Sequence, residues 1–199
     1  MARIAWQIVV YLLGLLWVLS GGTARAESKI VRRGDLTMEQ ARIIARARSE
    51  VTRGVRYSST WQLQPDRGAC TDLVVRALRA GDIDLQRLVH EDIMALPGAY
   101  GITRPDPMID HRRVSTLLVF FERNGIALST DPHEVNEFQP GDVVFFGPRR
   151  HVGIVSDKIG RRGLPLVFEN GGPRAIESDS LDRRPILGHF RGVNRTTWR

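Results

Sequence analysis

Apolar residues change their spacing once along this chain, and the change restricts the folds open to it. Up to about residue 125 they recur at intervals of three and four, the period of an α-helix with one buried face. Thr37-Met38-Glu39-Gln40 reads as a capping box opening a helix over 38–53, with Ala41, Ile44 and Ala45 on its apolar face and Gly54 as a left-handed stop. A second helix starts at or just before Cys70, carries Leu73, Val74, Ala77 and Leu78, and ends at Gly81. Asp84 caps a third through Leu85, Leu88, Val89 and Ile93, which stops near Pro97-Gly98. Asp110 caps a fourth, with Val114, Leu117, Leu118 and Phe121 inside and Asn124-Gly125 at its close. From Gln139 onward the pattern becomes short β runs separated by turns, at 142–146, 151–156, 164–169 and 186–191. A parallel sheet needs helices between its strands, so helices followed by strands predict an α+β fold, with N-terminal helices packed on a C-terminal antiparallel sheet.

The first residues set the compartment. One basic residue, Arg3, precedes an apolar run over 4–19, and small residues at Ala24 and Ala26 follow it. This is the pattern of a cleaved signal peptide over 1–26, too short in its apolar part to span a bilayer comfortably. The expected mature protein is therefore exported, periplasmic or secreted, with no stable membrane span and a single domain over 27–199. The formal net charge of +7 comes from arginine, much of it in pairs such as Arg112-Arg113, Arg161-Arg162 and Arg183-Arg184. Those arginines are not interleaved with aromatic stacking residues, so nucleic acid is not an expected partner.

One cysteine cannot close an intramolecular disulfide, which leaves Cys70 as a lone thiol in an oxidising compartment. Gly68-Ala69-Cys70-Thr71-Asp72 puts it in the first turn of a helix, where unpaired N–H groups and the helix dipole favour a thiolate. A thiolate nucleophile needs a proton partner, and His151 is the best placed of five histidines. It opens the run His151-Val152-Gly153-Ile154-Val155, in which Gly153 leaves the histidine's face bare enough for the cysteine helix to approach. A third group should hold the imidazole, and Glu169-Asn170 ends the next strand. Either can accept the ring N–H, and parity alone does not choose between them. Asp110-His111-Arg112-Arg113 offers two guanidiniums for a substrate carboxylate, or a capped helix start with solvated arginines. His90-Glu91-Asp92 has no recognised ligand spacing, and neither a metal nor another cofactor is expected.

With Pro140-Gly141-Asp142-Val143-Val144-Phe145-Phe146 added to the cysteine and histidine segments, the order of motifs resembles the NlpC-type cell-wall cysteine peptidases of the papain-like fold. The resemblance implies a Cys-His-polar triad of Cys70, His151 and Glu169 or Asn170, and an active-site aromatic at Tyr57. A closer resemblance, over nearly the whole mature chain, is to a bacterial family of unknown function related to that superfamily. It is carried by Cys70-Thr71-Asp72-Leu73-Val74, Val89-His90-Glu91-Asp92, Pro105-Asp106-Pro107, Asp110-His111-Arg112-Arg113 and the His151 strand. The chain departs from the peptidases where they usually carry Cys-Ser-Gly, having Asp72 close to the thiol. What is implied is an exported amidase or peptidase acting on peptide or peptidoglycan, with Tyr57, Asp72 and Asp110 to Arg113 as candidate substrate contacts. The alternative is a non-catalytic module that binds cell-wall peptides on the same scaffold.

Overall fold

A computed structural model describes residues 35–60, 64–148 and 150–193. The expected signal peptide lies outside them. The first helix, α1 (Met38–Thr52), opens on the expected box: Thr37 Oγ1 accepts from Gln40 N, and Gln40 Oε1 accepts from Thr37 N. Gly54 takes φ 62° just past its end, the left-handed conformation that glycine adopts without strain. Two short parallel strands, β1 (Arg56–Tyr57) and β2 (Arg67–Gly68), flank the loop that leads to the cysteine. Then come α2 (Cys70–Ala80), α3 (Leu85–Ala95) capped by Asp84, and the single turn α4 (Pro97–Tyr100).

Asp110 does not cap the next helix. It begins a 3-10 turn over Asp110–Arg112, and α5 (Val114–Asn124) starts behind Arg113 with no side-chain cap. Asp110 is turned inward, where its carboxylate accepts from Asp106 N at 2.8 Å and meets His90 Nδ1 at 3.1 Å. A short polar side chain that accepts from the amide four residues back serves the turn better than the helix.

The remaining strands are β3 (Gly125–Ala127), β4 (Val143–Phe146), β5 (His151–Ile159), β6 (Pro165–Glu169), β7 (Ile176–Ser178) and β8 (Ile186–Val193). They form one six-stranded sheet in the order β3-β8-β4-β5-β6-β7, with every neighbour antiparallel. The protein is therefore α+β, as its segregated order requires. Strand alternation divides the core. Val143, Phe145, Val152, Ile154, Phe168 and Phe190 pack with Leu73, Leu78, Ile93, Leu117 and Phe121 of the helices. Val144, Phe146, Val155 and Val167 turn to the other face, under Phe138, Leu164 and Leu181. Both faces are covered, which is why β4 is buried at every position. No helix among the described residues is long and apolar enough to cross a membrane.

Candidate active site

Cys70 is the first residue of α2, and its placement follows from two features of the sequence before it. Ala69, at the N-cap, has no side-chain acceptor, so no side chain covers the first amides of the helix. Asp72 reaches back instead, its Oδ2 accepting from Ala69 N at 2.8 Å. Asp72 is buried, and its charge is met by Arg112, which donates from Nε to Oδ1 and from Nη2 to Oδ2, both at 2.9 Å. A bidentate, charge-assisted pair of this kind satisfies a buried carboxylate. It keeps the negative charge of Asp72 from acting alone on the neighbouring thiol, and it ties the 3-10 turn to the start of α2. Thr71 Oγ1 adds a bond to the Arg112 carbonyl at 3.2 Å.

His151 opens β5 at the end of the sheet, mostly buried. Its Nε2 lies 2.7 Å from Glu169 Oε2, an ion-pair contact set off the line of the ring N–H. Burial disfavours the imidazolium, yet the interactions with Cys70 and then Glu169 prevail and raise the His151 pKa to about 9. The pleat selects Glu169 over Asn170. The pairs Ile154↔Phe168 and Val155↔Val167 set Glu169 on the same sheet face as Val155 and His151, and send Asn170 to the face carrying Phe168. There Asn170, fully buried, donates from Nδ2 to the Gly68 carbonyl at 2.9 Å, and more weakly to Val55 O at 3.4 Å.

The Glu169 carboxylate is held at both oxygens. Oε1 accepts from Ser178 Oγ and from Ser180 Oγ, the latter at 2.9 Å, while Oε2 also receives Arg184 Nη2 at 2.6 Å. Burial alone would raise its pKa, but the close contact with His151 and donation from Ser178 and Arg184 hold it far below the usual carboxylate range. Arg184 and the two serines carried no recognisable signal in the sequence. They arrive through β7 and the turn after it, and only the sheet order brings them to Glu169.

Tyr57 is exposed at the same end of the sheet. Its N–H donates to the Pro173 carbonyl, and its ring lies beside Gly172, one residue from the Gly171 against which the His151 ring rests. Most of the other expected substrate contacts are buried or already paired. Asp72 and Arg112 are engaged with each other, and Asp110 is occupied by His90 and the Asp106 amide. His111 is buried, with neither ring nitrogen hydrogen-bonded among the described residues, and burial lowers its pKa. Of that motif Arg113 alone is exposed. Gly153 also differs from expectation. A Cβ there would meet Val167 Cγ1 at 2.5 Å and the Phe168 carbonyl at 2.9 Å, so β6 and not the cysteine helix requires the glycine.

The comparisons with known proteins support a family of unknown function, without linking it to the cell-wall peptidases. The chain is 41% identical over 133 residues to the "Uncharacterized protein YijF" of Escherichia coli (strain K12), a match covering 63% of this chain and 64% of that protein. The aligned region thus spans less than two thirds of the relative's length. The family described as "Domain of unknown function (DUF1287)" matches residues 44–192, from within α1 to within β8 and including Cys70, His151 and Glu169. The chain belongs to this family.

Proposed function

We propose that the protein is an exported cysteine hydrolase of amidase or peptidase type, a single-domain relative of the NlpC-type papain-like enzymes. The carrying observation is the setting of His151, in contact with a carboxylate that Arg184, Ser178 and Ser180 hold in place, and near enough to the Cys70 thiol for the thiol to raise its pKa. A neutral histidine at a strand end needs no such support. An imidazole that must take a proton, keep its orientation and give the proton up does.

Cys70 transfers its proton to His151, and the thiolate attacks a substrate carbonyl carbon. The charge that develops on the carbonyl oxygen is met by the uncapped amides at the start of α2. His151 then protonates the departing nitrogen as the C–N bond breaks, which leaves a thioester on Cys70. Water attacks the thioester, His151 takes the water's proton, and Cys70 is released with the carboxylic acid product. Glu169 stays ionised throughout and orients the ring. The expected substrates are peptides of the cell wall, met in the periplasm or outside the cell, with the exposed Tyr57 as a contact. Incubation of the protein with solubilised peptidoglycan fragments tests this reading. New amine and carboxyl ends are expected with the wild type and not with Cys70→Ala or His151→Ala. Cleavage that survives both substitutions contradicts it.

A further inference from the structure

Arg184 is the second cation on a carboxylate whose expected work is to hold the first. Its Nη2 and the His151 Nε2 contact the same oxygen, Glu169 Oε2, at 2.6 and 2.7 Å. The guanidinium is fixed from a second side by the Phe146 ring, 4.6 Å beneath its central carbon, and Phe146 also flanks the His151 ring at 6.3 Å. Four side chains thus form one set, in which Arg184 bridges the Glu169 carboxylate and the Phe146 face. The other oxygen is taken by Ser178 and Ser180, so the carboxylate cannot rotate to give His151 an oxygen of its own.

We propose that Arg184 is a positioning residue that divides the Glu169 carboxylate with His151 and so limits how firmly the imidazolium is held. The proposal rests on the reading of His151 as the proton shuttle. A shuttle too tightly paired keeps its proton when the leaving nitrogen needs it, because general acid catalysis is best when proton affinity is matched to the task. An unshared, buried Glu169 would hold the imidazolium too well. Arg184 withdraws part of that charge.

Among the described residues, the groups facing the imidazole are few. Cys70 comes from α2, Glu169 from β6, the Phe146 ring from β4, and Gly171 from the turn after β6, with Arg184 behind Glu169. The test removes the thiol and reads His151 alone. In the full chain carrying Cys70→Ala, the His151 ring protons are followed by NMR against pH, with Arg184 intact and as Arg184→Met, Arg184→Gln and Arg184→Lys. Loss of the cation is expected to move the His151 midpoint upward by about one pH unit, the low end for a charged neighbour because Arg184 is partly exposed. Lys at 184 is expected to bring it most of the way back.

If Arg184 only props Glu169 in place, the carboxylate drifts off when the prop goes, and the midpoint falls. A midpoint unchanged or lowered in Arg184→Met and Arg184→Gln overturns the proposal, and Arg184→Gln decides alone should the methionine variant not fold. Alkylation of Cys70 in the wild type and in His151→Ala separately tests the shuttle itself. A thiol indifferent to His151 removes that reading, whatever Arg184 does to the imidazole.

Discussion

Glu169 and Asn170 are neighbours in the chain, and the pleat of β6 gives them opposite faces. The carboxylate turns to His151, and the amide turns inward to the Gly68 carbonyl, two residues ahead of the thiol. One strand end therefore fixes both halves of the candidate site, the imidazole directly and the cysteine turn through its backbone. Replacing Asn170 with alanine removes this bond and leaves the Gly68 carbonyl with Ser58 N alone, at 3.1 Å, and is expected to destabilise the fold by about 1 kcal/mol, read by urea unfolding. The sequence showed that one of the pair would face His151. It did not show which, because facing depends on the register between β5 and β6, and register is a property of the pair of strands. Gly171 gives the sharper residue-scale test. A Cβ there would stand 3.2 Å from His151 Cε1, so Gly171→Ala is expected to push the ring aside and slow any His151-dependent turnover up to about a hundredfold. Because Gly171 is exposed, its unfolding midpoint should hardly move.

At the scale of elements, the start of α2 shows how far local grammar reaches. Its position, its apolar face and the stop at Gly81 were all legible, because three-and-four spacing and a terminal glycine are local signals. The use of Asp72 was not. Its partner Arg112 is 40 residues away and reads in the sequence as part of a surface motif. The arrangement predicts that Arg112→Met, which strands a buried carboxylate, destabilises the protein by about 3–5 kcal/mol. The double change Arg112→Met with Asp72→Asn should recover a large part of that loss in the same unfolding measurement. Strands β3 and β7 escaped the sequence reading for a different reason. Each has three residues at a sheet edge, too few to show alternation, and β3 was concealed as the stop of the preceding helix. Missing β7 also meant missing Ser178 on it, and Ser180 and Arg184 beyond it.

Across the whole molecule, the perturbed groups predict a dome of stability against pH. His151 has its pKa raised in the fold, so its contribution is complete below its ordinary value of 6.5 and is lost as pH climbs through about 9. Glu169 is shifted the other way, and its contribution, present above the ordinary carboxylate value, fades as pH falls below it. His111, buried neutral, also weakens the fold in acid, because the unfolded chain takes up its proton first. Thermal unfolding from pH 4 to 10 should peak between the two limbs, and His151→Ala should flatten the alkaline one. The central claim, a coupled Cys70–His151 pair, is tested most directly by the rate of iodoacetamide alkylation at pH 6 in the wild type and in His151→Ala. A coupled pair predicts that Cys70 in the wild type reacts at least about tenfold faster, because the imidazole takes the proton that an ordinary thiol retains at this pH. Equal rates in the two proteins, or a thiol inert in both, would contradict the account.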